Sequence, residues 1–263
     1  MYHPLDPRML YTALRFHVSF IDGYGTKREA GSGTGFLASF NGKTHFFTNR
    51  HVVDAGYSKT NRRDWSCSQI VVSGRDQERR IFRFIIREPK LTYSKNYDED
   101  VALISPPVLE LIDGDPNPIS LINLDVDSFA DNAYFSRLSA GDFIAFPGWP
   151  AWHDVHGIRP IMRSGILASD PSFDYTGPDM NIGARRLAFE GFSFDGSSGS
   201  PVYALACGVL LTGDIIGGSF RPLKLIGINA GHIRYFDGVH QHSGISYMYK
   251  STVLAEMLKD FHS

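Results

Sequence analysis

Cysteine is scarce in this chain. Cys67 and Cys207 are the only two among 263 residues, too few for a disulfide framework to hold a fold of this size. An excess of one charge is missing as well: 26 Lys and Arg stand against 28 Asp and Glu, a formal net charge of −2. That balance excludes a basic nucleic-acid surface as the organising feature. No uncharged apolar run reaches the ~18 residues that a membrane-spanning helix needs. The 26 glycines and 14 prolines are scattered, so no collagen-like or low-complexity segment is present. The opening MYHPLDPRMLYTALRF has no basic start leading into an apolar core. With two thiols and no such leader, the expected location is the cytoplasm, with neither a membrane nor a nucleic acid as partner.

Long amphipathic stretches are also rare, which makes a βαβ arrangement unlikely to account for the chain. The dominant period is two. Segments 13–21, 35–40, 44–50, 69–74 and 80–88 are short and rich in Val, Ile, Phe and Thr, bounded by turns such as IDGYG, NGK and GRD. The same style returns at 142–148, 159–169, 185–192 and 223–231. Between the two sets, 105–120 is turn-rich and reads as a linker or long loop. The pattern predicts an all-β chain of two antiparallel barrels or sandwiches. One helix is predicted, over 251–261: Leu254, Met257, Leu258 and Phe261 follow i, i+3, i+4 and i+7 after Ser251 as N-cap.

Three short segments carry chemistry. TNRHVVD (48–54) follows a strand; in DEDVALI (98–104) acids give way to an apolar run; in FDGSSGSPVY (194–203) a serine lies between glycines. A serine hydroxyl is a weak nucleophile at neutral pH and needs a base in hydrogen-bond reach, itself oriented by a third group. His51 would take the proton of Ser198, and Asp100 would hold the other imidazole nitrogen, with Asp98 and Glu99 as close competitors. The flanking glycines would let the amides of Gly196 and Ser198 converge on a developing oxyanion.

Together, TNRHVV, DVALI and GSSGSPV, in that order, resemble the chymotrypsin-like (trypsin-fold) serine proteases, nearest in flavour to bacterial and HtrA-like protease domains. GSGTGFLASF before the histidine, LIGINAG (225–231) and the terminal helix extend the resemblance over most of the chain. It implies two six-stranded antiparallel β-barrels with a short C-terminal helix, residues 1–135 carrying His51 and Asp100 and residues 136–263 carrying Ser198. It also implies an endopeptidase with a Ser–His–Asp triad, no cofactor and no metal, and a protein or peptide substrate. By the match, Phe192 and Ser193 form the floor of the specificity pocket and Asn229, Ala230 and Gly231 its wall. A phenylalanine floor without a carboxylate implies a small or medium apolar side chain before the cut.

The chain departs from the family at Ser197, where secreted trypsins carry the aspartate that pairs with a new N-terminus, and the family's disulfides are absent. No peptide-binding (PDZ) domain is expected to follow, and the caged oligomers of HtrA relatives are then not implied. Ser197 implies a site that is either constitutively formed or controlled by a regulatory partner, and the expected substrate range is narrow or partner-gated. Ser197 and the apolar, glycine-rich stretch near 204–220 also motivate the rival reading of a binding module with a closed site. An esterase on the same triad is a third reading. An α/β-hydrolase is disfavoured because its serine precedes the acid and the histidine. GSGTG (31–35) is not a phosphate cradle, since strand rather than helix follows it. The histidines at 153, 156, 240 and 242 have no zinc-helix spacing, and Trp149 and Trp152 read as packing residues.

Overall fold

A computed structural model describes residues 1–105, 109–114, 121–177, 180–208, 220–236 and 240–263. The first half builds β1 (Leu14–Ile21), β2 (Lys27–Phe40), β3 (Lys43–Thr48), α1 (Arg50–Val53), α2 (Ala55–Ser58), β4 (Ser66–Arg75), β5 (Ile81–Arg87), β6 (Lys90–Tyr93), β7 (Ala102–Ser105), β8 (Glu110–Gly114) and β9 (Asn123–Asp125). After α3 (Asn132–Phe135) come β10 (Phe143–Gly148), β11 (Ile161–Leu167), β12 (Arg186–Glu190), β13 (Pro201–Ala204), β14 (Lys224–Phe236), β15 (His240–Lys250) and α4 (Ser251–His262).

Period-two patterning explains the strands. In β1, Leu14, Phe16, Val18 and Phe20 are buried and alternate with Arg15, His17, Ser19 and Ile21, which are more exposed. Asn41 and Gly42 both take positive φ (51° and 74°), the backbone of a tight two-residue turn that joins β2 to β3. The long β2 serves two faces: up to Gly35 it pairs with β1, and from Phe36 with β3. The change falls at a glycine because a Cβ there would lie 2.3 Å from the Phe16 ring.

The nine strands of this half form one sheet in the order β6-β7-β3-β2-β1-β4-β5-β8, with β9 beside β2. It curls around an apolar core drawn from β1 to β5 and β7, including Phe16, Phe46, Ile70, Phe84 and Ile104. Among the described residues its two edges, β6 and β8, do not pair, so the expected second six-stranded barrel is here an open, wrapped sheet. The second half is a closed six-stranded barrel, β10-β11-β12-β15-β14-β13, filled by Ile144, Phe146, Leu187, Phe189 and Met248 among others.

A third core joins the halves. Phe36, Phe47 and Leu103 of the sheet meet Tyr203, Leu225 and Ile228 of the barrel, with Val253, Leu254, Met257 and Leu258 of α4 wedged among them. The N-terminal segment crosses over as well, with Tyr2 bridged to Cys207 and the His3 N–H donating to Ala206 O at 3.0 Å. No helix among the described residues is long and apolar enough to cross a membrane.

Three local expectations change. Part of the supposed linker is β8, which pairs with β5; its ELIDG is exposed throughout, as an edge strand's can be, so alternation could not reveal it. Residues 106–108 and 115–120 of that stretch, and 209–219 of the 204–220 insertion, lie outside the described residues. Ser251 does not cap α4: its hydroxyl donates to Ala130 O at 2.7 Å, and Lys250 occupies the cap position. Phe261 stays 41% exposed, edge-on to the His45 ring.

Candidate active site

β3 ends at Thr48, and the chain turns through the buried Asn49 into α1, whose Val52 and Val53 sink into the sheet's core. That anchoring fixes the direction of His51. Asp100 lies just before the fully buried Val101 and the first residue of β7, Ala102, also fully buried, which pull the chain inward. Asn49 Nδ2 donates to the Asp100 carbonyl at 2.7 Å. Asp100 Oδ1 accepts the His51 backbone N–H at 2.8 Å, and Oδ2 accepts from His51 Nδ1 at 2.5 Å. A carboxylate can only accept, so this contact places a proton on Nδ1 and leaves Nε2 as the free base. Burial alone would push the His51 pKa down; the charge of Asp100 and its hydrogen bond outweigh it and leave the pKa raised. The competitors face elsewhere. Glu99 pairs with Arg185 at 2.7 Å and accepts from Ser94 Oγ at 2.6 Å, while Asp98 accepts from Asn181 Nδ2 at 2.7 Å.

Ser198 sits on the loop that enters β13. Gly196 and Gly199 both take φ of 90°, in the left-handed region that favours glycine. A Cβ on Gly199 would lie 1.9 Å from Thr34 O, and one on Gly196 2.3 Å from Trp149 O, so the loop is pressed onto its supports. Ser197 N–H donates to Phe194 O, Ser200 N–H to Ser197 O and Gly199 N–H to Asn229 O. The amides of Gly196 and Ser198 meet no acceptor among the described residues. The hydroxyl of Ser197, the departure from the acid of secreted trypsins, is buried and unpaired.

Two residues clamp this loop from opposite halves. Thr34 of β2 donates its N–H to Ser198 O at 2.8 Å and its hydroxyl to Gly196 O at 2.7 Å, and accepts the Trp149 N–H at 3.0 Å. Thr48 Oγ1 donates to Thr34 O at 2.7 Å. From the barrel, Asn229 Nδ2 donates to Ser197 O at 2.8 Å and to Ser193 Oγ at 2.9 Å. Gly33 marks how closely histidine and serine segments approach: a Cβ there would lie 2.8 Å from both γ-carbons of Val52 and 3.3 Å from Ser198 O. The Ser198 hydroxyl itself rests 3.5 Å from Ala230 O, with no hydrogen bond to His51.

The expected pocket residues divide. Asn229 is fully buried beneath the serine loop as a support, not a wall, because its amide is engaged by the loop. Ala230 supplies the carbonyl that meets Ser198, and Gly231 pairs with Tyr247 across the β14–β15 ladder. Phe192 is 55% exposed, its ring 4.9 Å from that of His242. Ser193 is buried at the edge of a cleft of about 490 Å³ that also contains Trp152, Phe194, Asp195, His232, Arg234 and His242. A second groove of about 240 Å³ is lined by His51, Gly31, Ser32 and Lys59, among others.

Trp149 is buried as a packing residue, its Nε1–H donating to Ala13 O at 3.1 Å. His153 is buried beside it and bonds Pro150 O through Nδ1 at 2.8 Å. No group of three or more His, Cys, Asp or Glu positioned for a metal occurs among the described residues. Sequence reasoning missed Thr34, Thr48, Asn49 and the support role of Asn229; the one available signal was a threonine held between glycines in GSGTG. Comparison with protein-family models finds none that matches this chain, and a search of curated proteins finds no matching relative.

Proposed function

We propose that the chain is a serine endopeptidase of the trypsin-like fold, with the wrapped sheet as counterpart of the family's first barrel. One observation carries the reading: an imidazole already oriented by a buried carboxylate stands on the α1 segment whose neighbouring Val52 meets Gly33 opposite the backbone of Ser198, a glycine-flanked serine whose loop holds two unpartnered amides. In the reaction, Ser198 Oγ attacks the peptide carbonyl as His51 Nε2 takes its proton. The oxyanion is received by the amides of Gly196 and Ser198, and Asp100 stabilises the imidazolium. The amine leaves with that proton, and water, deprotonated by the same nitrogen, resolves the acyl-enzyme. Gly196 and Ser198 are thus the oxyanion hole, and no cofactor takes part.

The rest position of the Ser198 hydroxyl, on Ala230 rather than His51, favours a second reading in which a regulatory partner gates the site. Incubation with a proteome-derived peptide library, read by mass spectrometry, tests the function. The expected result is peptide-bond cleavage by the wild type that Ser198→Ala abolishes. Cleavage that survives in Ser198→Ala overturns the reading, and turnover of esters but of no peptide replaces it with the esterase.

A further inference from the structure

The cleft that holds Ser193, Phe194 and Asp195, the residues leading into the Ser198 loop, and His232, two positions beyond the Ala230 carbonyl that meets Ser198, has a lining for which acyl transfer itself has no use. His232 on β14 and His242 on β15 lie as stacked rings, centroids 4.4 Å apart and 19° from parallel. The Gly244 N–H donates to His242 Nδ1 at 2.8 Å, which holds that ring in place. Arg234 shares the cleft and has no hydrogen bond or ion pair among the described residues. Behind the loop, Arg163 Nη1 donates to Phe192 O at 2.8 Å, while its Nε and Nη2 are buried and unpaired. One carboxylate, Asp195, stands at the rim. Trp152 and Phe194, edge to face at 5.4 Å, supply an apolar wall.

A short aliphatic stem ending in a carboxylate matches this lining, with its stem on the rings and its charge toward the guanidinium and imidazole. A purely apolar side chain would desolvate Arg234 and His232 and leave them unpaired, and a basic one would meet Arg234. Resting on the hydrolase reading above, we propose that this cleft selects an acidic side chain, aspartate or glutamate, on the residue whose carbonyl Ser198 attacks, with Arg234 and His232 as specificity residues and His242 as their stacked support. This replaces the apolar preference expected from Phe192. Burial first, then the charge of Arg234, holds His232 below the ordinary imidazole range, partly offset by Asp195; burial and His232 do the same to His242. A bound carboxylate favours protonated His232, so selection strengthens as pH falls through that titration.

The test uses peptidyl diphenyl phosphonates that differ only in the side chain beside phosphorus: Glu, Asp, Leu or Arg. Ser198 Oγ forms the P–O bond, phenol departs with the proton relayed by His51, and intact mass reads the rate. A fluorophosphonate without such a side chain runs in parallel. The Glu or Asp probe is expected to react about tenfold faster than Leu or Arg, the size of one good charged contact. Arg234→Met and His232→Gln should each draw that ratio toward one. Fluorophosphonate labelling of Ser198 without acidic preference overturns the inference and leaves the hydrolase reading standing. Should the fluorophosphonate leave Ser198 unmodified, the hydrolase reading falls, and histidine NMR decides the cleft. With N-acetyl-glutamate amide present, an upward shift of the His232 titration supports carboxylate binding there, and an unchanged titration overturns it.

Discussion

The two halves prepare their contributions to different degrees. On the sheet side the proposed base is already oriented: Asp100 grips His51 through backbone and ring at 2.8 and 2.5 Å. On the barrel side the proposed nucleophile, Ser198, has its hydroxyl 3.5 Å from Ala230 O and no hydrogen bond to His51. The difference follows from the supports. His51 rides on a four-residue helix anchored by neighbours in one core, whereas Ser198 lies on a loop shaped by two positive-φ glycines and clamped from two directions. Orientation of the base is therefore a property of one half, and placement of the serine a property of the contact between halves.

The largest expected effect breaks the sheet side. Asp100→Asn keeps the shape but favours the wrong imidazole tautomer, and should lower kcat on the order of 10⁴-fold in peptide hydrolysis. Next, Gly199→Ala attacks the seam where the serine loop presses on the sheet. A methyl group would need the space of Thr34 O, so the loop must move, and acyl transfer should fall by about 10²- to 10³-fold, as for loss of an oxyanion donor. The resonance of the His51 Nδ1 proton should stay in place in that variant, which separates the two halves experimentally.

Thr34→Val is the finer probe, because it removes the hydroxyl that bonds Gly196 O and the Trp149 N–H while keeping the shape. Leaving buried partners unsatisfied should cost about 1–3 kcal/mol each in denaturant unfolding, with a slower reaction at Ser198. The mildest test is pH. Only neutral His51 can accept the serine proton, and Asp100 raises its pKa against the effect of burial. kcat/KM should therefore fall on acidification from a higher pH than the usual imidazole value of about 6.5 would give, and Asp100→Asn should move that limb down.

What the sequence showed and what it hid follow the range of the interactions involved. The alternation of β1, the Asn41–Gly42 turn and the apolar face of α4 are local, and were legible. So were His51, Asp100 and Ser198 as candidates, since each lies in a short motif beside a strand. The apolar run after Asp100 favoured it over Asp98 and Glu99 as the acid facing His51, but what draws Glu99 away was not legible, because its partner Arg185 lies 86 residues further along. Thr34 was missed for the same reason: its hydroxyl reaches Gly196, 162 positions on. Whether the first sheet closes depends on its two edge strands finding each other, and no local pattern in β6 or β8 records that they do not.

The central claim is that Ser198, served by His51, is a nucleophile. Labelling the purified full chain with a fluorophosphonate and mapping the adduct by mass spectrometry tests it most directly. A single adduct on Ser198 that is lost in His51→Ala is the expected result. A folded wild-type protein that takes up no label, or carries it on another residue, would contradict it.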